Sequence, residues 1–171
     1  MATRRDLIVH MHSIDHAVNL LKLGLRVPMV CEMTRLSGWF IRKLAIEACA
    51  EKPPKGQVPN SELWYLRGRN NLHASLFASF YLTLKQGAGI RAEASVLLVK
   101  AFQQYRTVME EAGLPEVLTP DRAWWLIKSL TIPQLKRERC LDCQGHYLVH
   151  VGDLVKNHRC ARCSSHKKSL Q

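Results

Sequence analysis

A mainly α fold is what the sequence predicts: a helical body followed by a small cysteine-rich C-terminal segment with a short β-hairpin. Three observations predict it. Apolar side chains recur at helical spacing in stretches separated by Gly and Pro. Composition changes near residue 135, and Lys136 to Lys168 then carries eight Lys and Arg against three Asp and Glu in 33 residues. Two C-x-x-C pairs, Cys140/Cys143 and Cys160/Cys163, lie in that same stretch with sixteen residues between them. The chain divides accordingly into residues 1–135, a helical domain, and residues 136–171, a basic four-cysteine segment.

Residues 6–25 read as the first helix. Leu7, Met11, Ile14, Val18, Leu21 and Leu25 follow the 4-3 spacing of a knobs-into-holes seam, and Ile8, Val9, Leu20 and Leu23 widen the stripe. A stripe this wide suits a core or a partner subunit. Gly24 loosens the end, and Pro28 starts a short helix over 28–34. Ser37 is a good N-cap for a helix from Gly38 to about Cys49. Lys52 to Asn60, with Pro53, Pro54, Gly56 and Pro59, is a loop. Residues 61–86 contain mostly helix, ended by Gly87 and Gly89. Another helix runs from about Arg91 to Ala112 with Leu98, Phe102, Tyr105 and Met109 on one face, and Gly113 and Pro115 stop it. Thr119 can cap and Pro120 can open the next, whose apolar face is Trp124, Ile127 and Leu130 and whose end is marked by Pro133.

The 171 residues are 47% hydrophobic, enough for a real core, and the formal net charge is +11. That excess predicts a polyanionic partner, because each cation that neutralises a phosphate releases a condensed counterion. Arg4 and Arg5 resemble the start of a secretory signal, but His10, His12, Asp15 and His16 interrupt the apolar run and no A-x-A site follows. Leu72 to Leu84, the most apolar run, is too short to cross a membrane and reads as a buried helix. A cytosolic protein keeps its thiols reduced, so clustered cysteines suggest a metal rather than disulfides.

Two C-x-x-C knuckles at this separation are a strong sign of a structural four-cysteine Zn2+ site, one per chain, from Cys140, Cys143, Cys160 and Cys163. Each knuckle turns two thiolates to one side, and two knuckles supply four corners of a tetrahedron. An iron–sulfur cluster uses the same ligand type, and a redox dithiol would need a βαβ setting. Between the knuckles, His146 to Val151 is strand-like, Gly152-Asp153 can turn, and Leu154 to His158 can return, a zinc-ribbon-like layout with Gly145 at the knuckle exit. His146, His150 and His158 would then surround a full shell. A full shell leaves no open position for catalytic water, the H-x-E of zinc deaminases is absent, and Arg139 stands where their Pro would be. No enzyme activity is expected. Lone Cys31 and Cys49 read as core fillers.

Residues 27–49 have the length and order of a helix-turn-helix, with Trp39, Phe40, Leu44 and Ile46 on the apolar side and Arg42, Lys43 and Glu47 outward. The second helix of such a unit enters the major groove. Ser37, Gly38, Trp39, Arg42 and Lys43 are its candidate DNA contacts, against the alternative of an ordinary helical hairpin. Lys136, Arg137, Arg139, Lys156, Arg159, Arg162, Lys167 and Lys168 are candidate phosphate contacts around the cysteines.

The run Pro53-Pro54-Lys55-Gly56, Trp64, the segment Asn71-Leu72-His73-Ala74-Ser75-Leu76-Phe77, the helix start Thr119-Pro120-Asp121-Arg122-Ala123-Trp124 and the two cysteine pairs occur in this order. Together they resemble the flagellar transcriptional activator family FlhC over about residues 5–163. The resemblance implies a DNA-binding subunit that assembles with a smaller partner, the D subunit FlhD, four copies of the partner with two of this chain. It implies binding to promoters of early flagellar operons as double-stranded DNA, and activation with RNA polymerase in the cytoplasm. It also implies zinc held by the four cysteines. Family members usually continue into a longer C-terminal tail than the one that ends here at Gln171. A zinc-ribbon adaptor that binds RNA or ribosomes through charge is the alternative function. Such binding would track salt and length but ignore sequence.

Overall fold

Seven α-helices, one 3-10 helix and one two-stranded sheet are formed by the described residues of the computed structural model, which are 4–49, 54, 56–57, 60–89, 93–154 and 159–168. Helix α1 spans Arg4–Leu23. Its end is a Schellman turn: Gly24 takes φ 98°, Gly24 N–H bonds Leu21 O at 2.9 Å and Leu25 N–H bonds Leu20 O at 3.1 Å. The expected seam holds only in the second half. Ala17, Leu20, Leu21 and Leu23 are buried, whereas Leu7 and Met11 are 57% and 65% exposed. Helices α2 (Val27–Thr34), α3 (Gly38–Cys49) and α5 (Ala94–Glu111) pack on α1 and cover its C-terminal part.

Arg35, at φ 60°, closes α2, and Ser37 Oγ accepts from Phe40 N–H at 3.3 Å as the expected cap of α3. Ile41 and Ala45 form the buried side of α3, with Phe40 and Leu44 packed beside them. Trp39 and Ile46 do not belong to that side: they are 69% and 63% exposed, because the buried positions repeat at 41 and 45 and leave 39 and 46 on the flank. Helices α2 and α3 follow in the expected order and touch, and the outward face of α3 mixes Trp39 and Ile46 with Arg42, Lys43 and Glu47. Cys31 and Cys49 pack against the core.

Residues 61–86 divide into a 3-10 helix, Glu62–Leu66, and helix α4, Gly68–Ala88. Helix α4 buries polar side chains where the apolar run suggested only core: Asn71, His73 and Ser75 lie inside beside Ala74, Phe77, Ala78 and Tyr81, while Leu72 is 40% exposed. Each inward polar group has a partner, as burial requires. His73 Nδ1 lies 2.7 Å from Tyr105 Oη, which also accepts from the N–H groups of Val117 and Leu118 at 3.2 Å. On α5, Leu98, Phe102, Tyr105 and Met109 are buried as their spacing predicts. Helix α6 (Pro120–Thr131) starts on the Thr119 cap, whose Oγ1 accepts from Arg122 N–H at 3.4 Å, and buries Trp124, Leu126 and Ile127. The largest fully buried side chains include Tyr65, Phe77, Leu98, Phe102, Tyr105 and Leu126. Each contributes roughly 1.5–3 kcal/mol by leaving water.

The hairpin differs from expectation in its pairing. Strand β2 (His146–His150) lies where the alternation placed it, but its antiparallel partner is β1 (Leu135–Arg139), upstream of the first knuckle. Leu154, expected to open a return strand, is 92% exposed and outside any strand, and residues 155–158 lie outside the described set. The knuckle explains the pairing. Cys140 N–H donates to Gly145 O at 2.9 Å and Gln144 N–H to Cys140 O at 2.9 Å, which folds the chain back immediately and sets Arg139 opposite His146. Helix α7 (Ala161–Lys168), absent from the sequence expectation, follows the second knuckle.

Strand alternation gives the hairpin two buried faces. Leu148, with Leu135, joins the main core. Tyr147 and Val149 turn the other way and pack with Cys140 and Cys160 in a second, smaller apolar cluster. Asn71 and Ser75, one turn apart on α4, fasten the first face. Asn71 Nδ2 donates to both Tyr65 O and Leu148 O at 2.8 Å, and Ser75 Oγ accepts from Leu148 N–H at 3.0 Å.

Candidate metal centre

The two knuckles bring four sulfurs together. One Sγ from each of Cys140, Cys143, Cys160 and Cys163 lies within 4.8 Å of every other. Tetrahedral zinc with arms of ~2.3 Å has edges of about 3.8 Å between sulfurs. The Cys143–Cys160 separation is 3.8 Å. A four-thiolate set is also the donor chemistry that structural zinc prefers, so the residues fit the ion.

Local hydrogen bonds prepare the ligands. Burial raises the Cys140 thiol, but the backbone N–H groups of Cys143, Cys160 and Asp142 outweigh it and bring the group down to about 6. Cys160 N–H reaches Cys140 Sγ at 3.3 Å. Burial pushes Cys160 up, and the crowd of neighbouring thiols, Cys160 first, pushes Cys163 up to about 12. Four sulfurs this close cannot all ionise beside one another without a cation among them. The knuckle hydrogen bonds thus favour the thiolate at Cys140, and the four sulfurs together could hold a metal ion.

Tyr147 and Val149 wall the cysteines on the inner side. Burial, with the charges of Cys140 and Glu138 behind it, raises the Tyr147 hydroxyl to about 12, so it stays a neutral wall. Gly145 leaves room for a ligand, since a Cβ there would stand 3.4 Å from Cys143 Sγ. The left-handed residue of the knuckle is its neighbour Gln144, at φ 60°.

The candidate cations fall in three groups. Around the cysteines, Arg139 and Arg159 are exposed and Lys136 and Arg137 half-buried; Lys136 Nζ pairs with Glu138 at 2.8 Å and Arg159 Nε with Asp142 at 3.2 Å. Arg162 is exposed on α7, which also carries Lys167 and Lys168, and Lys156 and His158 lie outside the described residues. His146 and His150 are exposed at the ends of β2, and His150 Nδ1 accepts from Gly152 N–H at 3.0 Å, so neither stands among the four ligating groups. Far along the chain, Ser37, Arg42 and Lys43 belong to α3 and its cap, where Lys43 lies 5.7 Å over the Trp39 ring. The residues that sequence reasoning missed are Asn71, Ser75, Tyr147 and Val149. The alternation of Tyr147 and Val149 in β2 was a usable signal. The i, i+4 pair Asn71/Ser75 was hidden inside an apolar run.

Comparison with known proteins adds the lineage. A family model described as flagellar transcriptional activator (FlhC) matches residues 2–170. The flagellar transcriptional regulator FlhC of Nitrosomonas eutropha is 33% identical over 150 residues, covering 88% of this chain and 78% of that protein. Its counterpart in Cupriavidus metallidurans is 32% identical over 165 residues, covering 96% and 76%. That of Serratia marcescens is 28% identical over 173 residues, covering 100% and 88%. A match this long, spanning the cysteine knuckles and the helical body alike, means that the chain belongs to the FlhC family of flagellar transcriptional regulators.

Proposed function

We propose that this protein is the DNA-binding subunit of a cytoplasmic transcription activator that works with a D subunit on flagellar promoters, in an assembly of four D-type and two FlhC-type chains that meets RNA polymerase. One observation supports it above the others: four cysteine sulfurs lie within 4.8 Å of one another in a strongly cationic segment. Residues 1–135 act as the helical, partner-binding domain and residues 136–171 as the basic module around a structural zinc. A segment with so little apolar area of its own draws its folding free energy from the metal. Once ordered, it presents Lys136, Arg137, Arg139, Lys156, Arg159, Arg162, Lys167 and Lys168 to phosphates, while Ser37, Arg42 and Lys43 offer a groove-reading helix. Two copies related by a two-fold axis would read two half-sites. Bound by all four cysteines, the metal would have no open position for catalytic water.

Metal analysis of the purified protein is the first test, with one zinc per chain expected. Competition between promoter and scrambled duplexes at fixed salt is the second. Selective binding that Cys163→Ser abolishes supports the reading. Binding that tracks length and salt but ignores sequence, or persists at full strength without metal, favours the RNA- or ribosome-binding adaptor instead.

A further inference from the structure

A pocket of about 350 Å³ is lined by Gln57, Asn60, Ser61, Leu63, Trp64, Arg67 and Arg122. Its size is at the small end of the ~300–1,000 Å³ usual for ligand sites. Two guanidiniums face it, and among the described residues that line it there is no carboxylate. Arg122 lies over Trp64, 4.1 Å from the ring centroid, so its position is held by an aromatic platform rather than by an acid. The carboxylates adjacent in sequence to the lining residues are engaged elsewhere. Asp121 pairs with Arg26 Nε at 2.9 Å and accepts from Arg26 N–H at 3.2 Å; Glu62 accepts from Trp125 Nε1 at 3.3 Å. Arg26 Nη1 also donates to Gly56 O and Gln57 O, which fixes the rim that carries Gln57. Tyr65 Oη donates to Arg122 O at 2.8 Å and pins the far wall.

The place of the pocket matters as much as its lining. The 3-10 helix that carries Trp64 touches β2 of the cysteine hairpin, and Asn71 bridges Tyr65 O to Leu148 O. The element that carries Trp64 is therefore joined directly to the hairpin of the cysteine module.

We propose that this pocket seats one backbone phosphate of bound DNA, gripped jointly by Arg67 and Arg122, with Trp64 holding Arg122 in place. Forked guanidinium donors match phosphate oxygens, and the amides of Gln57 and Asn60 add neutral donors at the rim. The seat rests on the DNA-binding reading above and extends the phosphate path from the metal module onto the helical body.

The test uses the metal-loaded full chain assembled with its D-type partner. Binding to promoter and scrambled duplexes is measured across a salt series for the parent, Arg67→Gln, Arg122→Gln and the double variant. Losing one phosphate contact lowers the slope of log K against log salt by about 0.9. Each variant is expected to lose up to that amount on both duplexes. The double variant should lose no more than one contact's worth, because both groups grip the same phosphate. Arg67→Lys should restore most of the slope. An unchanged slope in variants with native metal content and native circular dichroism overturns the proposal. Failure of the variants to assemble with the partner before DNA is added also overturns it, in favour of an acidic protein surface as occupant. If the parent binds no duplex, the DNA-binding reading fails by itself, and inorganic phosphate is then titrated while tryptophan fluorescence is followed. A response in the parent that Arg122→Gln lacks keeps the phosphate seat, for a free phosphate ester. No response removes it.

Discussion

Asn71 joins three elements through one amide. It is 3% exposed, and its Nδ2 serves Tyr65 O in the 3-10 helix and Leu148 O in β2. Replacement by alanine leaves two buried carbonyls without a donor, which costs about 2–3 kcal/mol. For a chain of this size that lowers the thermal midpoint by roughly 5–10 °C, readable by circular dichroism. Leu72→Ala next door, on the exposed flank, should stay within about 0.5 kcal/mol of the parent, and equal effects at both positions would refute the bridging role. His73 makes a second residue-scale prediction. Tyr105 Oη accepts two backbone N–H groups, so it donates to His73 Nδ1, and that arrangement needs a neutral imidazole. Burial, helped by Arg69, lowers the His73 pKa below its ordinary value. The unfolded chain therefore takes up this proton first as pH drops. Stability from the neutral imidazole is complete above the ordinary imidazole value of about 6.5 and declines as pH falls below it. Thermal midpoints between pH 7 and 5 should fall more steeply in the parent than in His73→Gln. The thiols titrate in both proteins, so the difference isolates His73, and parallel slopes would remove the assignment.

At the scale of elements, the hairpin leans on two supports, the main core through Leu135 and Leu148 and the cysteines through Tyr147 and Val149, while α1 to α6 depend on the main core. Chelation is expected to melt α7 and to lower amide-exchange protection in β1 and β2, which keep their contact with α4 through Leu148. Helices α4 and α5 should keep theirs, because Phe77, Leu98, Phe102 and Tyr105 bury their area without the metal. Hydrogen exchange before and after chelation measures this, and uniform loss across α4 and α5 would mean that metal and body fold as one unit. The same division explains what was legible in the sequence. Helices announced by period and punctuation, such as α5 with its Leu98–Met109 stripe and α6 with its Thr119-Pro120 start, stand where they were expected. The cysteine set was legible because spacing alone encodes it. Strand β1 was not, since Leu-Lys-Arg-Glu-Arg has a single apolar residue and no alternation; its pairing comes from the turn that Cys140 and Gly145 close. The inward polar side of α4 was hidden for the opposite reason, because Asn71 and Ser75 sit in an apolar run and their partners lie more than 70 positions away. Trp39 and Ile46 escaped because hydrophobicity does not say which flank of a helix finds a neighbour.

The molecule as a whole leaves one end of its longest apolar stripe uncovered. Leu7, Ile8, Val9 and Met11 on α1 are 57%, 51%, 61% and 65% exposed, and α3, which packs on the same helix, adds Trp39 at 69% and Ile46 at 63%. Apolar clusters of this kind on a monomer mark an interaction surface or a tendency to self-associate. On the function proposed above, a partner subunit would cover this stripe and leave the cationic and cysteine-bearing parts to nucleic acid. The expectation is directional. Leu7→Glu with Met11→Glu places two charges one turn apart on the uncovered stripe, where burying them against an apolar partner costs several kcal/mol. The variant should retain its metal and its far-ultraviolet spectrum, lose assembly with the D-type partner by light scattering, and aggregate less than the parent when alone. Normal assembly by this variant would place the partner on another face and leave the α1 stripe to a different contact.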